Sequence, residues 1–276
     1  MSLPRIALIG CGNMGRSLAG GLIHAGWSAD ALQGVDPDPN QRDQLRMQTG
    51  INATADGAAA VSRAEVGVLA VKPQGMKDTV RELAETLRRQ QPLVITVAAG
   101  VRVESIGAWI GTPVPLVRAM PNTPALLGAG ATGLYCTAAV SAPQRQLAER
   151  ILGAVGTVVW VENEALLDVV TALSGSGPAY FFLVMEALIE AGVELGLSQA
   201  QAQALTVQTA LGAARMAAAG TEEPAALRRR VTSPGGTTEQ GLRVLEESGL
   251  RAILVRAVQA ARQRSEELAR KFGDKE

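Results

Sequence analysis

The sequence predicts an α/β domain built on a mostly parallel sheet, followed by an all-α domain, and three observations carry that prediction. Short β-branched runs alternate with helical stretches from Arg5 to about Val161. After Asn163 no segment reads as a strand, and every stretch carries helical periodicity. A chain of 276 residues also exceeds what one small core needs and suits two domains. The expected boundary falls near Glu162, giving domains at 1–162 and 163–276.

The expected strands are residues 6–9, 32–35, 66–71, 93–97, 115–119, 132–136 and 157–161, with amphipathic stretches such as 74–90 between them. Residues 165–173, 178–196, 199–219, 224–231, 238–248 and 250–272 are the expected helices of the second domain, with Gly or Pro at several ends. No repeat, low-complexity tract or flexible linker separates the two parts, so they are expected to pack together rather than hang on a tether. The stretch 179–195 is apolar on nearly every face, and such a helix must be covered on all sides. A second subunit is expected to cover it through an interlocked helical interface, making a homodimer. The alternative is a helix enclosed within its own domain.

Bulk composition excludes several classes of function. The chain has 26 basic and 26 acidic residues and no Lys/Arg stripe, which argues against a nucleic-acid partner. One histidine and two cysteines, Cys11 and Cys136, make no zinc-like ligand cluster, so no metal is expected. The cysteines lie far apart in apolar surroundings, as reduced thiols of a cytoplasmic protein do. The N-terminal residues lack the pattern of a secretory signal. The longest apolar segment, 179–193, is interrupted by Glu186 and Glu190 and falls short of the ~20 residues of a membrane span, so it reads as a buried helix.

The chemistry begins after the first strand, where Gly10-Cys11-Gly12-Asn13-Met14-Gly15 leads into a helix over 16–25. This G-x-G-x-x-G follows a strand and opens a helix, as a dinucleotide site of the Rossmann type requires. Gly10 permits the turn, Gly12 lets a pyrophosphate approach the backbone, and Gly15 lets helix and strand pack closely. The helix N-terminus then offers free amides to the phosphates. An ordinary glycine-rich turn is the bland alternative. Asp36 ends the second strand, where an acidic side chain can accept from the adenosine ribose hydroxyls, and this favours NADH. Arg42 and the following loop could relieve repulsion of a 2′-phosphate, so NADPH stays open. His24 reads as a surface or packing residue.

Ligands in such sheets gather at the carboxyl ends of the strands, which points to Ala70-Val71-Lys72-Pro73, Ala98-Ala99-Gly100 and Met120-Pro121-Asn122-Thr123-Pro124. Lys72 lines the coenzyme cleft or is an exposed loop lysine. In the helical domain, Ser174-Gly175-Ser176-Gly177-Pro178 and Ser233-Pro234-Gly235-Gly236-Thr237-Thr238 each precede a helix.

Together these segments resemble pyrroline-5-carboxylate reductase, and the resemblance spans essentially the whole chain. The Ser174 to Tyr180 and Ser233 to Thr238 motifs carry it most narrowly. It implies a Rossmann domain, a helical dimerisation domain like the C-terminal domain of 6-phosphogluconate dehydrogenase, NADPH or NADH as coenzyme, and no metal. It also implies dimers that assemble into larger rings such as a decamer. The substrate would be 1-pyrroline-5-carboxylate, reduced at its C=N bond to proline, the last step of proline synthesis. The coenzyme would meet Gly10, Cys11, Gly12, Asn13, Met14, Gly15, Asp36, Ala70, Val71, Lys72, Pro73, Ala98, Ala99, Asn122 and Pro124. The substrate would meet Ser176, Ser233, Gly235, Gly236, Thr237 and Thr238.

The residues support that chemistry independently. Hydroxyls and unhindered glycine amides at a helix start make a seat for a carboxylate, although Ser-Pro-Gly-Gly is also a common turn and cap. Thr238 is a poor acid at neutral pH, so it reads as an orienter of the imine nitrogen. Arg228-Arg229-Arg230 either help hold an anion or form a solvated helix face. Three rival readings remain. A 3-hydroxy acid dehydrogenase of the same plan needs a lysine on the helix after the joint, and none lies in residues 165–220. A reductase of another imine and a non-catalytic dinucleotide sensor are the others.

Overall fold

The structure, a computed structural model, describes residues 3–273. Its strands are β1 (Ile6–Ile9), β2 (Leu32–Val35), β3 (Asn52–Thr54), β4 (Val66–Leu69), β5 (Leu93–Thr96), β6 (Leu116–Met120), β7 (Gly130–Cys136) and β8 (Gly156–Trp160). The helices among the described residues are α1 (Asn13–His24), α2 (Pro39–Thr49), α3 (Gly57–Ser62), α4 (Pro73–Gln90), α5 (Val103–Ile110), α6 (Ala142–Gly153) and α7 (Leu166–Val170), and then α8 (Gly177–Glu194), α9 (Gln199–Ala218), α10 (Pro224–Arg230), α11 (Thr237–Glu247) and α12 (Leu250–Gly273).

One eight-stranded sheet runs β3-β2-β1-β4-β5-β6-β7-β8. Neighbours pair in parallel except β6 and β7, which are antiparallel. Strand order reverses between β1 and β4, so the loop after β1 opens at a topological switch point, where such sheets bind ligands. Strands β1, β4 and β5 are buried at every residue, as strands covered by helices on both faces must be. One core cluster packs Leu8, Leu18 and Leu22 with Leu93 and Ile151. Another joins Ile9, Met76, Val80 and Leu87 with Ile106 and Ile110.

By compactness the chain divides into two units. The first holds the described residues up to Ser176 together with those from Ala260 onward, and the second is Gly177–Gln259. Loss of strands near residue 162, which set the expected boundary, therefore precedes the change of compact unit. The first unit keeps α7 because Leu167 and Asp168 are fully buried there. It also keeps the end of α12, whose Ser265 donates to Asp168 Oδ1 at 2.7 Å.

In the second unit α8 and α9 form a helical hairpin, with Ser198 and Gln201 making a reciprocal cap at the start of α9. The reading of 179–193 as a buried helix does not hold within the single chain: Phe181 is 68% exposed and Phe182 and Leu183 64% each. The helical run Leu166–Glu194 is also longer than the apolar stretch suggested. By length and composition it could cross a membrane (mean hydropathy 1.3), and 11% of that window is buried within the chain. Asp168, inside this run, has no exposed surface.

Candidate active site

The loop after β1 has the shape its glycines require. Gly10 sits at φ +101°, and a Cβ there would lie 2.7 Å from the Ala70 carbonyl oxygen. At Gly15 a Cβ would come within 2.0 Å of the Gly10 oxygen, so this glycine holds α1 against the turn. Gly12 differs: a Cβ there would meet nothing within 4 Å. The space above Gly12 is open, which fits a pyrophosphate lying against the backbone at the N-terminus of α1. The residues present thus fit a dinucleotide coenzyme.

Asp36 is tied into this loop. Its Oδ2 accepts from the Cys11 amide at 2.8 Å and its Oδ1 from the Asp38 amide at 3.0 Å. Cys11 contributes its backbone; its side chain is buried, with Sγ against β2 near Gly34. Burial pushes the Cys11 thiol up to about 11, and the adjacent Asp36 carboxylate adds to the rise. Arg16 braces the loop from outside, donating to the Cys11 carbonyl at 2.7 Å and to Asn13 Oδ1 at 2.8 Å.

The loops after β4, β5 and β6 open on the same edge of the sheet as the loop after β1, because these strands are parallel. Ala70 follows β4 and its amide donates to the Ile9 carbonyl. Lys72 is the exposed N-cap of α4 and Pro73 its first residue. Ala98 is buried in the core, so only its backbone can face a ligand, whereas Ala99 is exposed. Asn122 has its side-chain amide engaged within the protein: Nδ2 donates to the Ser174 carbonyl at 3.0 Å and Oδ1 accepts from the Ala131 amide at 2.9 Å. These bonds brace the loop after β6 and leave one amide hydrogen and one oxygen lone pair of Asn122 uncommitted. The half-buried Pro124 lies in the 3-10 turn Thr123–Leu127. Residues Thr171–Gly175 form a single π turn, closed by the Ser176 amide on the Thr171 carbonyl. Such insertions often mark functional positions.

A set of charged residues in the first unit was not singled out from the sequence. Arg118, 2% exposed within β6, pairs with Glu164 at 2.8 Å, and Glu164 also accepts from the Val103 amide at 2.9 Å. Asp168 accepts from Arg102 at 3.2 Å and from Ser265. Together they fasten the loop after β5, which carries Ala98 and Ala99, to α7 and the end of α12. A charged residue inside an apolar strand, Leu116-Val117-Arg118-Ala119, or inside an apolar helix, Leu167-Asp168-Val169, was the available signal.

In the second unit, Ser233-Pro234-Gly235-Gly236 turns the chain into α11. Gly235 adopts φ +71°, and the Gly236 amide donates to the Ser233 carbonyl. The Gly235 amide donates to the Glu239 carboxylate at 2.8 Å, so this backbone already accommodates a carboxylate. With Gln240 making the first intrahelical bond to Gly236, the amides of Thr237, Thr238 and Glu239 lack intrahelical acceptors. Arg228 pairs with Glu246 at 3.1 Å and Arg230 with Glu222, so two of the three consecutive arginines are neutralised on the surface. His24 is exposed in the last turn of α1.

Residues 164–268 match a family model described as pyrroline-5-carboxylate reductase dimerisation. Residues 5–100 match one described as NADP oxidoreductase coenzyme F420-dependent. The pyrroline-5-carboxylate reductase of Pseudomonas aeruginosa is 51% identical over 273 residues, 99% of this chain and 100% of the relative. A solved pyrroline-5-carboxylate reductase from Coxiella burnetii superposes with a TM-score of 0.94 at 44% identity, covering 96% of this chain and 98% of that one. A second, from Plasmodium falciparum with NADP bound, gives 0.84 at 28% identity, covering 98% and 99%.

Proposed function

The chain belongs to the pyrroline-5-carboxylate reductase family, and we propose that it performs that family's reaction through the loops described above. It is an NAD(P)H-dependent oxidoreductase that reduces the C=N bond of 1-pyrroline-5-carboxylate to give proline. The observation that carries the assignment is the full-length match, with the two narrowest motifs, Ser174 to Tyr180 and Ser233 to Thr238, intact. The bound coenzyme supplies the hydride.

The protein's part is to bind, orient and keep dry. Gly10, Gly12 and Gly15 shape the coenzyme cradle, and the backbones of Ala70, Val71, Ala98 and Ala99 continue it. The open Ser233 to Thr238 segment seats the substrate carboxylate. There the unpaired amides at the start of α11 and the Ser233 hydroxyl supply donors, while Gly235 and Gly236 keep the approach clear of side chains. The seat offers neutral donors rather than a cation, and the Glu239 carboxylate that now accepts from the Gly235 amide gives way when the substrate carboxylate docks. Thr238 orients the imine nitrogen through its hydroxyl, and Ser176 adds a second hydroxyl. No lysine stands anywhere in residues 165–220, so the proton carrier of a 3-hydroxy acid dehydrogenase is missing from α8 and α9.

The helical domain dimerises. The exposed apolar side chains of α8 are what a partner subunit covers, and assembly of dimers into a ring such as a decamer belongs to the same proposal. We place the enzyme in the cytoplasm and off the membrane, a location that suits two free thiols. The test is to mix the protein with pyrroline-5-carboxylate and each reduced coenzyme, follow loss of nicotinamide absorbance and quantify proline. Proline-forming turnover establishes the reading. Coenzyme binding without turnover on any cyclic imine would favour a sensor instead.

A further inference from the structure

We propose that Asp36 is a specificity-determining residue that makes this chain select a coenzyme with a free adenosine 2′-hydroxyl, NADH, over the 2′-phosphorylated NADPH. The inference rests on the reading of the Gly10 to Gly15 loop as the coenzyme cradle.

Asp36 follows the last residue of β2, beside β1 at the switch point, and its carboxylate bonds the amide of Cys11 within the glycine loop. It therefore stands where the adenosine ribose of a dinucleotide in that loop must lie. A carboxylate has about four acceptor positions, and the Cys11 and Asp38 amides fill two, leaving room for two ribose hydroxyls. Those two amides also hold the carboxylate in place, so little freedom is lost when a ribose docks.

The guanidiniums nearby, Arg16 and Arg42, keep their positive charge but are engaged with the chain rather than with the Asp36 carboxylate. Among the described residues no ion pair reaches the Asp36 carboxylate. The nearest candidate, Arg42, has Nη1 turned back onto the chain, donating to the carbonyls of Asp36 at 2.7 Å and Pro37 at 2.8 Å. Arg16 is similarly engaged with the Cys11 carbonyl, Asn13 and Gln41. A phosphate dianion would meet an unpaired carboxylate in a half-buried position, which costs at least about tenfold in affinity at intermediate dielectric.

The test is direct binding, independent of turnover. Full-length protein is titrated with NADH and with NADPH, following nicotinamide fluorescence. ADP-ribose and its 2′-phosphorylated form then compete on the wild type, isolating the adenosine end. The expected result is NADH binding at least about tenfold tighter than NADPH, with the same order for the two fragments. Asp36→Asn, checked for an unchanged melting temperature, removes the charge at nearly the same volume and loses one of the two amide acceptors; it should tighten NADPH and bring the ratio of the two constants toward one. Equal or tighter NADPH binding by the wild type overturns the proposal, as does an unchanged ratio in a folded Asp36→Asn variant. The fragment competition needs no variant, so the proposal stays testable if Asp36→Asn fails to fold. Failure of both coenzymes to bind would overturn the underlying reading of the cradle, a result distinct from binding without discrimination.

Discussion

Glu164→Ala should destabilise the first unit by about 3 to 5 kcal/mol, because it leaves Arg118 charged and unpaired at 2% exposure. The penalty comes from the surviving partner. Arg118 lies in the middle of β6, between β5 and β7, so water reaches its guanidinium only through the gap that the shortened side chain leaves. The Val103 amide loses its acceptor in the same change. All three tryptophans, Trp27, Trp109 and Trp160, belong to the first unit, so their fluorescence reports its unfolding and ignores the second. Each kcal/mol moves the midpoint by roughly 2 to 4 °C in a unit of this size, so a fall of roughly 6 to 20 °C is expected. Protein concentration must be held fixed, since dimerisation also shifts the midpoint. The double change Arg118→Met with Glu164→Leu removes both charges and should recover most of the loss. A single variant melting within about 2 °C of the wild type, or a double variant no better than the single, would refute the argument.

Five further outcomes are expected. Gly12→Ala should fold and melt normally yet weaken coenzyme binding at least about tenfold in a fluorescence titration, since its methyl meets no protein atom and fills the cradle. Gly15→Ala should instead lower the melting temperature, because its methyl would strike the Gly10 carbonyl. The Cys11 thiol should resist a disulfide reagent at pH 8 in folded protein and react once unfolded; as its pKa is raised in the fold, the stability it contributes is present below about pH 9 and is lost as pH rises through about 11, which a melting series checks. Thr238→Ala should lower kcat without abolishing it and leave coenzyme affinity unchanged; wild-type kcat would remove the hydroxyl from the mechanism. Replacing Phe181 and Phe182, both largely exposed in the single chain, with Lys should shift the protein to monomer in size-exclusion chromatography.

Much of the first unit is legible because its strands are short, apolar and set between amphipathic helices, a pattern with few solutions. What escaped was short or polar. Strand β3 is Asn-Ala-Thr, held at the sheet edge by backbone bonds to β2, and nothing in its side chains announces it. Helix α3 spans only Gly57–Ser62. Reversal of β7 could have been read from length: residues 121–129 alone join it to β6, fewer than the dozen or so that a parallel crossover needs. Among the loop glycines, Gly10 and Gly15 were legible because backbone geometry requires them, whereas Gly12 is open and was read from the ligand that would lie against it. Asn122 could be placed after a strand from the sequence, but position does not reveal that its amide also bridges Ser174 and Ala131.

Helix α12 shows where pattern reading stops for a physical reason. Its periodicity announces a helix with an apolar side, but periodicity is a property of one element and carries no record of what that side meets. From Ala260 the helix belongs to the first unit, where Ala269 is 2% exposed and the Phe272 ring packs near Gly100. A Cβ on Gly100 would lie 3.1 Å from that ring, and Gly100 also adopts φ +73°. The glycine ending Ala98-Ala99-Gly100 is thus required twice, once by its backbone and once by a side chain some 170 residues later in the sequence. Asp168 links α7 to the same helix through Ser265 and to the loop after β5 through Arg102. The loop that presents Ala98 and Ala99 is therefore held from both sides by residues beyond the last strand. Changes at Ser265 or Phe272 should accordingly be felt first at the loop that carries Ala98 and Ala99.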